Sequence, residues 1–353
     1  MKKVAVVGIV GVPAKYGGFE TLVENIIGNT DVEYTVFCSS CSYKTRLQEY
    51  KGAHLRYIDI KANGIQSSIY DIMAMLKCSD KFDSILILGV SGCLFLPFLR
   101  LYYHNKIIVN IDGMESRRQK WGAFARWFLN KSELYAIKYS NEIIADNRVI
   151  QEYVEETYGK KAVLITYGGD HAMRKIDVGA QMACLNNWRV ESGSYAMAVC
   201  RIEPENNCHV ILEAFSEMKM KLLFIGNWGR SEYGRKLKES YSQYSNIIVC
   251  DPIYDLKILY SLRKNCKVYI HGHSAGGTNP SLVEAMYLGC DIIAYDVPYN
   301  RETTCNRASY FSTVDDLVTK ISTFDIKNGR FMHSIAVDKY RWEIIAKQYE
   351  ELY

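Results

Sequence analysis

The sequence has no hydrophobic run long enough to span a membrane and no strong excess of one charge. A spanning helix needs about 20 consecutive apolar residues, whereas the apolar stretch at residues 94–103 is much shorter and is interrupted by Pro97. The 43 basic and 39 acidic residues leave a net charge of only +4. Because nucleic-acid-binding domains carry a large basic surplus, this balance argues against a nucleic-acid partner.

A disulfide framework is also missing. The 11 cysteines are scattered and their number is odd, and we expect no signal peptide. This number and distribution of cysteines is typical of reduced thiols in the cytoplasm. Cys38 and Cys41 form a lone C-x-x-C pair, and His271 and His273 form an H-x-H pair with no third ligand in view. Because a zinc site needs three or four protein ligands, we expect no metal and no other cofactor.

Strand patterns alternate with helix patterns in both halves of the chain. Continuous apolar runs, such as VAVVGIV at residues 4–10, are typical of strands buried on both faces of a parallel sheet. With 353 residues, 48% of them hydrophobic, the chain can build two cores. We therefore predict an α/β protein with two doubly wound domains. The expected divisions are a first domain at residues 1–170, a polar linker at 171–193, a second domain at 194–335 and a terminal helix at 336–353.

The connection after the first predicted strand is long and rich in glycine. Gly17 and Gly18 stand just before a helix that we expect to begin near Phe19. The spacing is not G-x-G-x-x-G, so the dinucleotide-binding fingerprint is absent. Long loops in compact domains tend to be functional, although a flexible surface turn explains these glycines as well.

The most informative stretch is HGHSAGGTNPSLVEA at residues 271–285. It follows an apolar run at 268–270, and its turn consists of Gly276, Gly277, Thr278 and Asn279. Pro280 suits the first turn of a helix, so we predict a strand, a glycine turn and a helix N-terminus, where free amides favour an anion. Glu284, further along this helix, can accept hydrogen bonds from hydroxyls. Together these groups predict a site for a sugar nucleotide.

Several segments of the chain share one resemblance. GGTNPSLVEAMYLGC at residues 276–290 resembles the donor-binding segment of retaining glycosyltransferases of the GT-B fold, family 4. The other segments are GVPAKYGGFETLVENI at 11–26, NIDGMESRRQKW at 110–121, YGGD at 167–170 and CRIEPENN at 200–207. Within the family the chain looks most like bacterial rhamnosyltransferase-type enzymes of capsule and cell-wall polysaccharide synthesis.

The resemblance implies a fold, a reaction and a set of site residues. Two Rossmann-like domains would face each other across a cleft, with the terminal helix crossing back to the first domain. The implied reaction is transfer of a hexose, expected to be L-rhamnose from dTDP-rhamnose, with retention, to a lipid-linked saccharide. The donor-binding residues implied are Gly17, Gly18, Arg201, Ile253, Tyr254, His273, Gly276, Gly277, Thr278, Asn279 and Glu284.

The chemistry requires the negative charge of a departing diphosphate to be neutralised. No Asp-x-Asp motif is present to hold a metal, so the protein must supply cations and helix dipoles. Arg201, at a predicted strand end, is the first choice for that charge. Asp112 ends another predicted strand and is the candidate base or acceptor-positioning group, although a helix cap explains Asp112 equally well.

Two positions depart from the family pattern. Asn206 stands where much of the family has a lysine five residues after the arginine, which removes one cation. Gly276 stands where the first of two paired glutamates is expected, and Glu284 matches the second. The open, less carboxylate-rich pocket at Gly276 fits a 6-deoxy sugar such as rhamnose.

Residues 115–131 combine cations and aromatic side chains. The five cations are Arg117, Arg118, Lys120, Arg126 and Lys131, and the aromatic residues are Trp121, Phe124, Trp127 and Phe128. This mixture suits an anionic membrane interface, but a helix that packs its aromatic face into the first domain explains it as well. Since the implied acceptor is lipid-linked, we expect a peripheral protein at the inner face of the plasma membrane.

Other functions remain open at this point. The same fold can use a UDP-hexose donor, and the losses at Asn206 and Gly276 also suit a catalytically inactive partner that binds a sugar nucleotide. A two-domain nucleotide-sugar epimerase belongs to another enzyme class, and the GGTNPSLVEA segment argues against it.

Overall fold

The computed structural model describes residues 1–15, 17–28, 31–64, 66–78, 80–111, 113, 122–323 and 326–353. They form two compact units, the first comprising Met1–Tyr167 with Trp342–Tyr353 and the second Gly168–Arg341. Each unit is built on one sheet in which almost all neighbouring strands are parallel. The predicted α/β class is confirmed.

The first unit contains an eight-stranded sheet in the order β3-β4-β2-β1-β5-β6-β7-β8. Its strands are β1 (Lys2–Val7), β2 (Val32–Ser39), β3 (Glu49–Tyr50), β4 (Ala53–Ile58), β5 (Ser84–Leu88), β6 (Lys106–Ile111), β7 (Glu142–Ala145) and β8 (Val163–Leu164). Its helices before the crossing to the second unit are α1 (Gly18–Ile26), α2 (Gln66–Leu76), α3 (Leu96–Leu99), α4 (Ala123–Tyr139) and α5 (Arg148–Tyr158). The last four residues of β1 are fully buried, as expected for a central strand covered on both faces.

The second unit contains a six-stranded sheet in the order β11-β10-β9-β12-β13-β14. Its strands are β9 (Tyr195–Val199), β10 (Lys221–Ile225), β11 (Ile247–Cys250), β12 (Val268–His271), β13 (Ile292–Tyr295) and β14 (Ser309–Phe311). Its helices are α6 (Val178–Asn187), α7 (Cys208–Ser216), α8 (Glu232–Tyr241), α9 (Leu256–Lys264), α10 (Pro280–Tyr287), α11 (Pro298–Thr303), α12 (Val314–Thr323) and α13 (Gly329–Lys339). The strand order reverses between β9 and β12, which places a ligand crevice at their carboxyl ends.

Residues 171–193, which we expected to be a linker, are part of the second unit. They contain α6, and Leu185 and Val190 are buried in the same core as β9 and β12. Leu185 is the one buried residue of α6. A helix that buries so little has weak hydrophobic periodicity, which is why its sequence resembles a polar connection.

The expected terminal helix is two helices. Residues 336–341 belong to the second unit, as the end of α13 and the residues after it, and α14 (Trp342–Leu352) belongs to the first. The Tyr340 hydroxyl donates to the Thr303 carbonyl at 2.8 Å, and the Tyr340 carbonyl accepts from the Gly169 amide at 2.8 Å. In α14 the Tyr349 hydroxyl accepts from the Asn110 side chain at 2.6 Å. The chain therefore breaks where Tyr340 is anchored in the second unit.

A buried ion pair joins α9 to α10. The Arg263 guanidinium, whose side chain is 3% exposed, lies 2.8 Å from Oε2 of Glu284, and Oε1 of Glu284 lies 3.1 Å from Nε2 of His171. Burial raises the pKa of the Glu284 carboxyl, but the Arg263 guanidinium and the His171 ring outweigh burial and lower that pKa to about 2. One carboxylate therefore connects two helices and the turn that contains His171.

Breaking this pair should destabilise the second unit. In Glu284→Ala the Arg263 guanidinium stays buried without its carboxylate, and removing one partner of a buried pair costs about 3–5 kcal/mol. Urea unfolding near neutral pH measures the loss. Glu343→Ala is the control, because Glu343 pairs with Lys347 on the exposed face of α14 and such pairs contribute about 0.3–0.5 kcal/mol. Equal losses in the two variants would contradict a stabilising role for the pair.

The pair should also make stability depend on pH. The ordinary pKa of glutamate is about 4.3, so on acidification the unfolded chain takes up its proton before the folded one. The stabilisation is complete above about pH 5 and is lost as the pH falls toward 2. The difference in unfolding free energy between wild type and Glu284→Ala should be constant near neutral pH and shrink in acid. A difference that does not change in acid argues against the lowered pKa.

Candidate functional site

The candidate site lies where β9 and β12 end side by side. These neighbouring strands run parallel, with Val268 opposite Ala196 and Tyr269 opposite Met197. The loop at residues 201–207 follows β9, and the loop at 272–279 follows β12. Both loops therefore leave the same edge of the sheet at the point where the strand order reverses.

The two loops are tied to each other by hydrogen bonds. The amide and hydroxyl of Ser274 donate to the Glu205 carbonyl at 2.9 and 2.8 Å, and the Asn207 side chain donates to the Gly272 carbonyl at 2.9 Å. A Cβ at Gly272 would lie 2.2 Å from the Asn206 carbonyl oxygen. Only glycine permits this approach, so the loops form one fixed rim above the strand ends.

Arg201 and Asn206 have different roles at this rim: Arg201 presents a positive charge, and Asn206 holds the backbone. Arg201 is exposed and has no ion-pair partner in the part of the chain that the structure describes. The Asn206 side chain is buried and donates to the Arg201 carbonyl at 2.6 Å. Asn206 therefore fixes the backbone that carries Arg201, and the guanidinium remains available to an anion.

The predicted strand, glycine turn and helix are confirmed at residues 268–287. Asn279 caps α10, because its side-chain oxygen accepts from the Ser281 amide at 3.0 Å. Gly276 has a φ of +123°, and a Cβ built there meets no atom within 4 Å. The position at which the family pattern has a glutamate therefore faces open space, with Gly277 half-buried and Thr278 buried beside it.

Glu284 lies within α10 and is not a free carboxylate. Arg263 and His171 each occupy one of its oxygens, and its side chain is 17% exposed. An ionised carboxylate has about four acceptor positions, so capacity remains for hydroxyl donors. Sequence reasoning did not find Arg263 or His171. An arginine on the buried face of a helix and a histidine directly after YGGD were the available signals.

His271 and His273 stack on each other. Their ring centroids lie 4.4 Å apart with an interplanar angle of 13°. Burial lowers the pKa of His271 to about 3, so the ring is neutral, and neither ring nitrogen has a partner among the described residues. The His273 carbonyl accepts from the Asn300 side chain at 2.9 Å. In the described ranges no three His, Cys, Asp or Glu side chains are grouped to hold a metal.

Ile253 and Tyr254 follow β11 at the same edge of the sheet. Ile253 is partly buried against the hydrophobic core, whereas Tyr254 is 64% exposed. The next residue, Asp255, caps α9 by accepting from the amides of Lys257 and Ile258. This cap fixes the backbone of the segment, and the exposed Tyr254 ring is free to stack on a flat ligand.

The remaining predicted residues belong to the first unit. Gly18 begins α1 and Gly17 is its N-cap. In the preceding loop the amides of Val10 and Ala14 donate to Glu20 and Glu24 at 2.9 and 2.8 Å. Val10 and Ala14 of this loop are therefore anchored on α1. Asp112 lies outside the described residues, and the donor contacts of Gly17 and Gly18 stay a prediction.

Two protein families match parts of the chain. Residues 189–324 match "Glycosyl transferases group 1", and residues 1–170 match "Domain of unknown function (DUF1972)". No curated protein matches.

Solved structures with the same fold cover nearly the whole chain. Sucrose-phosphate synthase from Thermosynechococcus elongatus is 13% identical, with a TM-score of 0.82, and the match covers 100% of this chain and 98% of that one. Anabaena Alr3699/HepE in complex with UDP-glucose is 13% identical, with a TM-score of 0.78 and coverages of 99% and 98%. The catalytic domain of Starch Synthase IV from Arabidopsis thaliana, bound to ADP and acarbose, is 13% identical, with a TM-score of 0.70 and coverages of 99% and 98%. The chain has the GT-B fold of two Rossmann-like domains, and its second unit carries a glycosyl transferases group 1 domain.

Proposed function

We propose that this protein is a retaining hexosyltransferase that takes its sugar from a nucleoside diphosphate donor. The observation that carries the proposal is the arrangement at the ends of β9 and β12. An unpaired Arg201, the glycine turn before α10 and the Glu284 carboxylate belong to loops and a helix at one sheet edge. The match of this unit to glycosyl transferases group 1 supports the same conclusion.

Each part of a donor would have a partner of suitable chemistry. The Arg201 guanidinium and the amides at the start of α10 neutralise the diphosphate as the glycosidic bond breaks. Glu284 accepts from the ribose hydroxyls, and the base stacks on Tyr254 beside Ile253. No protein nucleophile is required, because the departing phosphate takes the acceptor proton during front-face attack. Asp112 is proposed to position the acceptor hydroxyl. Its alternative role is to take the acceptor proton itself, in place of the phosphate.

The open space at Gly276 bears on the choice of sugar. Gly276 has no side chain to fill this space, and so offers no carboxylate to bind the sugar hydroxyls. We therefore propose a 6-deoxyhexose, L-rhamnose from dTDP-rhamnose, carried to a lipid-linked saccharide of a bacterial surface polysaccharide. A UDP-hexose is the second candidate, favoured by the likeness to a protein whose structure holds UDP-glucose.

Thermal shift with a panel of nucleotides and nucleotide sugars tests the proposal, since a ligand of the folded state raises the melting temperature. We expect dTDP-rhamnose to give the largest shift and to be turned over in the presence of a polyprenyl diphosphate-linked saccharide. Binding without turnover would identify an inactive partner, and no shift with any nucleotide sugar would contradict the proposal.

Arg201→Ala should lower the transfer rate strongly, and activity should survive EDTA. Removing one preorganised donor to developing charge lowers kcat by about 10²–10³-fold, and no metal is proposed to replace it. Arg235→Ala is the matched control, because Arg235 is also exposed in the second unit but donates to the Gly229 carbonyl at 3.0 Å. Loss of activity in EDTA with recovery in manganese would contradict the metal-independent mechanism.

Glu284→Gln should weaken donor binding. Glutamine keeps the length of the side chain and one acceptor oxygen for Arg263, so it should disturb the buried pair less than alanine does. A lost hydrogen bond to a charged group costs about 1.5–3 kcal/mol, which is roughly a 10- to 150-fold rise in Kd. Calorimetry with dTDP-rhamnose measures the change, and an unaltered Kd in a folded variant would remove Glu284 from the donor site.

The first unit exposes apolar side chains that suit a membrane surface. Phe124 and Trp127 on α4 are 77% and 55% exposed, and their ring centroids lie 6.0 Å apart. Phe98 within α3 and Leu101 just after it are also exposed. Arg126 and Lys131 are exposed on the same helix, while Arg117, Arg118, Lys120 and Trp121 lie outside the described residues. No helix in the described ranges is long and apolar enough to cross a bilayer. We propose peripheral binding to anionic lipid at the inner face of the plasma membrane.

Vesicle co-sedimentation at low salt tests this binding. Phe124→Ser with Trp127→Ser, and separately Arg117, Arg118, Lys120 and Arg126 changed together to Gln, should each reduce binding to anionic vesicles. Phe331→Ser is the control, because Phe331 is 56% exposed, a fraction close to that of Trp127, but lies on α13 of the second unit. Equal binding by wild type and both variants, or none by wild type, would contradict the membrane assignment.

A further inference from the structure

A pocket of about 660 Å³ opens in the first unit where β1 and β2 end. Its lining includes no residue assigned to the donor site, and Gly17 and Gly18 lie further along the same loop as Pro13 and Lys15. Its walls come from the loop after β1 and the segment after β2, which leave the same edge of the sheet. The lining residues are Pro13, Lys15, Ser40, Cys41, Ser42, Tyr43, Lys44, Thr45 and Leu47.

The two walls are bonded to each other. The Tyr43 hydroxyl donates to the Pro13 carbonyl at 2.9 Å, and the Ser39 amide donates to the Val10 carbonyl at 2.8 Å. Glu24 on α1 fixes the far side of the loop through the Ala14 amide. Hydrogen bonds between the two segments, and from the loop to α1, therefore hold the walls of the pocket together.

The charge of the pocket is positive. The Lys15 ammonium donates to the Ser42 carbonyl at 2.7 Å and lies 4.3 Å from the centroid of the Tyr43 ring, which holds it in place. Neither Lys15 nor Lys44 forms an ion pair with any residue that the structure describes. Two carboxylates close to the walls already have partners: Asp59 accepts from the Ser40 hydroxyl and from Arg46 at 3.0 Å, and Glu24 accepts from the Ala14 amide at 2.8 Å.

Lysine ammonium groups bind phosphate as point charges, and the hydroxyls of Ser42 and Thr45 can add neutral donors. Pro13 and the exposed Leu47 give the pocket an apolar side. We propose that this pocket binds the phosphate or diphosphate group of the sugar acceptor, with Lys15 and Lys44 as its ligands. This inference rests on the proposed glycosyl transfer, because an acceptor exists only if that function is right.

Cys41 provides a local reporter. It lines the pocket and is exposed, whereas the other 10 of the 11 cysteines are buried or half-buried. The rate of Cys41 alkylation by N-ethylmaleimide, followed by peptide mass spectrometry on the full chain, therefore reports occupancy. Inorganic pyrophosphate and geranyl diphosphate are the two probes, with sulfate at equal ionic strength as the blank and with UDP present to occupy the donor site.

We expect pyrophosphate at ten times its Kd to slow alkylation about tenfold, and Lys15→Gln with Lys44→Gln to abolish this protection. Lys61→Gln with Lys81→Gln is the matched control, because both lysines are exposed in the same unit. Stronger protection by geranyl diphosphate assigns the phosphate to a lipid-linked acceptor, and equal protection assigns it to a soluble one. No protection by either probe, or protection that survives the Lys15 and Lys44 changes, overturns the proposal.

The experiment separates failure of the pocket from failure of glycosyl transfer. The Lys15 and Lys44 variant should keep the wild-type Kd for dTDP-rhamnose, since neither lysine is assigned to the donor and Arg201, Tyr254 and Glu284 all belong to the second unit. The same variant should raise the KM for a diphosphate-linked acceptor. Protected Cys41 in a protein that turns over no donor would leave the phosphate site standing and refute the transferase. Donor turnover with unprotected Cys41 would support the transferase and refute the phosphate site.

Discussion

The second unit depends on one carboxylate held in place from two sides. Glu284 is bonded to Arg263 of α9 and to His171 of the turn that opens the unit. The same turn continues from Gly169, whose amide is bonded to Tyr340 at the end of α13. A buried arginine requires a partner, so the charge of Glu284 is fixed by the fold before any ligand arrives. A ribose would meet a carboxylate whose position and ionisation are already set.

Fixed backbone also explains how the rim of the site tolerates two departures from the family pattern. Asn206 cannot neutralise a phosphate, but its side chain holds the Arg201 carbonyl, and its own carbonyl packs against Gly272. Gly276 has no side chain to hydrogen-bond a sugar hydroxyl, but it leaves the space beside the turn open. In the proposed function, charge recognition therefore falls on Arg201 and on the amides of the turn, since preorganised donors can stabilise developing charge.

Much of the fold and the main turn could be predicted from the sequence, because buried parallel strands are continuous apolar runs and the GGTNP turn has a specific backbone requirement. Helix α6 could not be predicted from the sequence, because it buries only Leu185 and so has weak hydrophobic periodicity. The break at Tyr340 was missed because apolar residues on both sides of it mimic one amphipathic helix. Arg263 and His171 were missed for a different reason: their role arises from contacts between residues far apart in sequence, which no local pattern records.

The central claim is that a sugar nucleotide lies at the carboxyl ends of β9 and β12. Hydrogen exchange of the full chain, with and without dTDP-rhamnose, tests it most directly, because bound ligand slows exchange of the amides it contacts or orders. The account predicts slower exchange in peptides that cover residues 200–208 and 271–284, with little change at β13 and β14. Protection confined to the first unit, or unchanged exchange at both loops under saturating donor, would contradict it.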